Sequence, residues 1–174
     1  MLRRDIQLEP VHLGRNLLTK VKDRVTYEVE GICLGKLGYV IHIINLYDED
    51  ISCGLIDNDS GAVNISVRFR AIVFRPFEHE VVDAVVTTAS DETGFFANVG
   101  PLSIFVSRHC MSEDIHFDYV RGDTWASEDG EVEIREGTVV RLRILGLTIG
   151  AHSMDAVGTI KDDFLGMLHS ATIM

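Results

Sequence analysis

The stretch Ala71-Ile72-Val73-Phe74-Arg75-Pro76-Phe77 divides the chain. Its first four residues continue a β-rich run, and Pro76 ends that run, because proline has no amide to give to a strand ladder and disfavours helical backbone in the residue before it. The 174 residues therefore fall into two parts, 1–78 and 79–174, each long enough to bury a core of its own.

Upstream of the seam, Leu17, Leu18, Val21, Val25 and Val29 recur at three and four residues behind Leu13, with Lys20, Lys22, Asp23, Arg24 and Glu28 between them. This period predicts an amphipathic helix, entered after Pro10 and Gly14 and stopped at Gly31. Tyr39–Ile44 then reads as a β-branched strand, Ile51–Ile56 as a short one, and Val63, Ile65, Val67 and Phe69 alternate with Asn64, Ser66, Arg68 and Arg70 in the period of a half-buried strand. Asn58-Asp59-Ser60-Gly61 has the composition of an exposed turn. Gly35-Lys36-Leu37-Gly38 is a tight turn and not a phosphate loop, since it lacks the GK[ST] ending and precedes a strand.

Downstream come five short β patterns, Val81–Val86, Phe95–Val99, Leu102–Val106, Val139–Leu145 and Ala156–Ile160. Five strands without a long helical pattern predict a small closed barrel, so the chain as a whole is expected to be α+β. Ser112–Gly137 is acidic, holds the only tryptophan, Trp125, and is too long for a barrel turn; it is expected to be an insertion or flap.

With 46% hydrophobic and 25% charged residues the chain has the composition of a folded domain. Its apolar runs are far shorter than the roughly 20 residues of a membrane span, and Met1-Leu2-Arg3-Arg4-Asp5 is not followed by the apolar core of a secretory signal. Cys33, Cys53 and Cys110 are spaced for neither a CxxC pair nor a zinc site and suit reduced thiols. An intracellular protein with no membrane partner is expected. The net charge of −11 is uneven: residues 1–79 hold 10 Lys/Arg against 11 Asp/Glu, while residues 80–174 hold 6 against 16, a balance of −10. So acidic a half can bind nucleic acid only weakly and locally, because Lys/Arg contacts that release counterions normally drive such binding.

The seven histidines form no HExxH or Cys/His pattern, and no GxSxG elbow, Walker loop or GxGxxG occurs; no metal, no cofactor and no catalysis are expected. Phe96 and Phe105 are more informative. On neighbouring barrel strands they can offer a stacking platform to unpaired bases or belong to the core, and alternation leaves both open because Phe95 and Phe96 must point opposite ways. Arg141 and Arg143 share a strand face and suit either a bound RNA backbone or solvent.

The blocks Gly31-Ile-Cys-Leu-Gly-Lys-Leu-Gly-Tyr-Val-Ile41, Phe69-Arg-Ala-Ile-Val-Phe-Arg-Pro-Phe77, Glu80-Val-Val-Asp-Ala-Val-Val86 and Gly94-Phe-Phe-Ala-Asn-Val-Gly-Pro101, taken in order, resemble the family of the seventh subunit of eukaryotic RNA polymerase II and its archaeal RNA polymerase counterpart. Asp163-Phe164-Leu165-Gly166 is similar to that family's C-terminal signature. The resemblance implies a truncated RNP-like N-terminal domain followed by a five-stranded OB-fold barrel of the S-one type. It implies a non-catalytic nuclear stalk subunit, paired as a heterodimer with a small helical fourth subunit and touching single-stranded nascent RNA in initiation and elongation. It also implies a tip that docks on the RNA polymerase II core, corresponding here to Gly35, Lys36 and Gly38 together with Asn58 and Gly61. Phe96 and Phe105 fall where such barrels place stacking side chains. Two departures stand out: the tip turn Asp57–Gly61 is acidic where the family is rich in proline and glycine, and the family's opening apolar strand is expected to be missing before Leu2–Pro10. A stalk subunit of polymerase I or III, or a free-standing OB-fold RNA-binding protein, remains open as an alternative.

Overall fold

The computed structural model describes residues 1–91, 93–118, 122 and 124–168; His169 and part of the 112–137 stretch lie outside these. The chain forms two compact units, Met1–Arg75 and Pro76–Met174.

In the first unit, β1 (Leu2–Leu8) pairs antiparallel with the first half of β4 (Val63–Phe74), from Leu2↔Phe69 to Leu8↔Val63. β2 (Tyr39–Asn45) pairs with the second half of β4, and β3 (Leu55–Ile56) with its start. β4 is therefore central, because its length lets different partners share its edges. The helix α1 (Leu17–Val29) presents Val21, Val25 and Val29, which are buried together with Ile6, Leu8, Val40, Ile43, Ile65, Val67 and Phe69. Gly31 sits at φ 79, the left-handed stop that the sequence predicts.

Three expectations need correction here. The chain does have an N-terminal strand, and it is Leu2–Leu8 itself: Ile6 and Leu8 at period two supply the buried anchors, and β4 supplies the partner. The helix begins at Leu17, a little beyond the expected entry after Gly14, with Asn16 at its cap and Pro10–His12 forming a separate 3-10 turn; proline and Gly14 keep that approach out of the α-helix. The segment 51–56 is strand only at Leu55–Ile56, with Ile51 making one isolated bridge to Val67.

The second unit is a closed five-stranded mixed barrel of β5 (Val81–Asp91), β6 (Gly94–Val99), β7 (Leu102–Ser107), β11 (Val139–Ile149) and β12 (Met154–Thr159). The ladder runs β12-β7-β6-β5-β11, with β11 pairing back onto β12 and β7–β12 the one parallel pair among the barrel's strands. This is the OB strand order. Alternate residues fill the interior, among them Ala84, Val86, Phe95, Ala97, Leu102, Ile104, Val106, Val140, Leu142 and Ile144. The acidic stretch between β7 and β11 is no bare flap: it carries a small antiparallel sheet of β8 (Ile115–Asp118), β9 (Thr124–Ser127) and β10 (Glu133–Ile134), with Trp125 buried against the ring of Phe117. β13 (Gly166–Met167) adds a short pairing to β11.

Candidate nucleic-acid interface

Phe95 and Phe96 take opposite faces of β6, as the pleat requires. Phe95 is fully buried in the barrel, whereas Phe96 is 45% exposed. Phe96 lies directly opposite Phe105 of β7 in the ladder, and the two rings meet with centroids 4.9 Å apart and planes tilted by 44°. Val157 of β12 is paired with Phe105 in turn and is 43% exposed. The outcome is an apolar row crossing three strands on the outside of the barrel. Solvent-open aromatic side chains are the kind of surface on which nucleobases stack without regard to sequence.

The two arginines do not join this row. Arg141 of β11 lies opposite Asp83 of β5 and donates to it twice, Nε to Oδ1 at 2.7 Å and Nη2 to Oδ2 at 2.9 Å. Its hydrogen bonds hold the Asp83 carboxyl below the usual carboxylate range and push the Arg141 guanidinium up. Arg143 is paired with Asp162, Nη1 to Oδ2 at 2.8 Å. Both charges are thus matched by carboxylates distant in sequence.

The expected docking tip is also divided. Gly38 adopts φ 97 after the 3-10 turn Gly35–Leu37, and a Cβ there would overlap the Phe74 carbonyl oxygen, so Gly35, Lys36 and Gly38 belong to the Phe74 end of β4. Asn58 and Gly61 belong to its Val63 end. That turn is closed on itself: Ser60 Oγ donates to Asp57 Oδ2 at 2.6 Å, which keeps the Asp57 carboxyl below its usual range, and the Gly61 amide donates to the Asp57 carbonyl at 2.8 Å. At about 3.3 Å per residue the two ends are on the order of 35 Å apart along the strand, and they do not make one tip.

An OB barrel with an exposed aromatic row, preceded by a small α+β unit, has the architecture of an S1-type protein. Residues 75–149 match the S1 RNA binding domain family; the match takes in β5, β6, β7 and β11, and the structure adds β12 as the fifth strand. Across almost its whole length the chain is 40% identical over 169 residues to DNA-directed RNA polymerase II subunit 7 of Arabidopsis thaliana, covering 97% of this chain and 94% of that one. It is 34% identical over 165 residues to the subunit RPB7 of Saccharomyces cerevisiae, covering 94% and 95%, and 24% identical over 165 residues to the RNA polymerase subunit Rpo7 of Sulfolobus acidocaldarius, covering 94% and 88%. The chain belongs to the RNA polymerase II subunit 7 family.

Proposed function

We propose that the chain is a non-catalytic, nuclear stalk subunit of RNA polymerase II. It pairs with the helical fourth subunit, docks on the core enzyme through its first unit, and offers the outer face of the barrel to single-stranded nascent RNA in initiation and elongation. The observation that carries this reading is the collinear similarity to RNA polymerase II subunits over 97% of the chain, which runs through both units. The protein works by occupancy: it holds partners and RNA in place and makes or breaks no bond.

Two surfaces support the division of labour. In the first unit Ile41, Ile44, Tyr47, Leu55, Ile56 and Ile72 are all exposed, and such apolar side chains suit a permanent protein partner. Of the two ends of β4, the Gly35–Gly38 end carries Lys36 beside the half-exposed Leu37 and is assigned to core docking, since in the Asp57–Gly61 turn the Asp57 carboxyl and Ser60 hydroxyl already bond each other. In the second unit the Phe96–Phe105 row is assigned to RNA, with an affinity kept modest by the balance of −10.

Co-expression tests this reading. Expressed alone, the chain should aggregate; expressed with the fourth subunit it should elute as a soluble one-to-one heterodimer. A monodisperse monomer that ignores the fourth subunit would contradict it.

A further inference from the structure

The barrel unit is short of positive charge, and where its free cations lie is informative. Of its described lysines and arginines, Arg141 and Arg143 are tied to Asp83 and Asp162. Arg108, Arg135 and Lys161 make no ion pair among the described residues, and two of these three, Arg108 and Lys161, line one small cavity of about 210 Å³ with His109, Met111, Ser112 and Glu113 among the other lining residues.

Their meeting is built into the fold. Arg108 opens the 3-10 turn Arg108–Cys110 directly after β7, and Lys161 follows the end of β12, the strand parallel to β7. The Cys110 carbonyl accepts from both the Ile160 amide and the Thr159 hydroxyl, each at 2.9 Å, and the Thr159 hydroxyl accepts in turn from the Lys161 amide at 3.2 Å. These bonds fasten the backbones of the two segments together, which brings Arg108 and Lys161 into the lining of one cavity. Only Glu113 brings negative charge to the lining. The cavity also lies at the end of the strand that carries Phe105, about 10 Å along it at roughly 3.3 Å per residue.

We propose that this pocket is a backbone-phosphate site, in which Arg108, Lys161 and His109 hold a phosphodiester of the same RNA strand whose bases stack on Phe96 and Phe105. The proposal rests on the RNA-contact reading above and adds to it the polar half of the interface. An arginine and a lysine in the lining of one pocket of this volume suit a phosphate group, and one phosphate contact in an otherwise repulsive barrel sets the register of a weakly held strand.

The test is oligouridine binding to the full chain, co-expressed with its helical partner, across a series of salt concentrations. The double variant Arg108→Gln/Lys161→Gln should bind severalfold more weakly at low salt, with its slope of log K against log salt shallower by about 0.7, the value of one phosphate contact on a single strand. Glu113→Gln should bind more tightly, and neither variant should change the melting temperature appreciably. If the double variant keeps the original affinity and slope while Phe96→Ala and Phe105→Ala weaken binding, the phosphate pocket is wrong and the stacking reading stands. If the unaltered complex binds no oligouridine at any salt, both fall.

Discussion

Arg141 and Asp83 face each other across the β5–β11 ladder and are joined by two parallel hydrogen bonds, at 2.7 and 2.9 Å. The pair closes one seam of the barrel surface with charge that a local reading of the sequence leaves open to a ligand or to solvent. Because the hydrogen bonds from Arg141 lower the folded-state pKa of Asp83, the associated stability is fully present above the unfolded aspartate value of about 3.9 and is lost as pH falls through the lower folded value. Asp83→Asn should therefore melt below the parent chain at about pH 7, and the gap should narrow once the pH falls below about 3.9. Thermal unfolding of both chains through this range is the check, and a gap independent of pH would contradict the pairing.

The three phenylalanines of β6 and β7 separate stability from binding. Phe95→Ala removes a fully buried ring and should cost about 3–5 kcal/mol of stability. Phe96→Ala and Phe105→Ala should leave the barrel folded, yet weaken single-stranded RNA by about 1–3 kcal/mol per lost stack, for all base sequences alike. Denaturant unfolding and oligonucleotide titration of the same three variants give both readouts. Unaltered RNA affinity in both Phe96→Ala and Phe105→Ala would reduce the row to a structural feature.

At Gly38 and Gly31 a positive φ, 97 and 79, meets different surroundings. A Cβ at Gly38 overlaps the Phe74 carbonyl, whereas one at Gly31 meets open space. Gly31→Ala should cost about 1–2 kcal/mol, the conformational penalty alone, and Gly38→Ala clearly more, because the backbone of β2 and β4 must also part. Comparable denaturation midpoints for the two variants would show that the close approach at Phe74 does not constrain the fold.

The barrel was legible in the sequence because its strands are short apolar, β-prone runs separated by turn residues. The runs Val81–Val86, Phe95–Val99 and Leu102–Val106 fall within β5, β6 and β7. β1 was not legible, because Arg3, Arg4 and Asp5 interrupt the only alternation that Leu2, Ile6 and Leu8 can show, and its pairing partner lies more than fifty residues away. The small sheet around Trp125 has strands of two to four residues, too short for any period to register.

The interface was legible in part. That one of Phe95 and Phe96 faces outward follows from the pleat, but which one does, and that Phe105 lies opposite it, depends on barrel register. The partners of Arg141 and Arg143, and the joining of Arg108 to Lys161 through the Cys110 carbonyl, are long-range contacts that leave no trace in local spacing.

Affinity purification of the tagged full chain, with identification of the subunits that accompany it, tests the central claim most directly. Recovery of the RNA polymerase II core and the fourth subunit in stoichiometric amounts is the predicted result. Recovery of polymerase I or III subunits in their place, or of the chain with no polymerase at all, would contradict it.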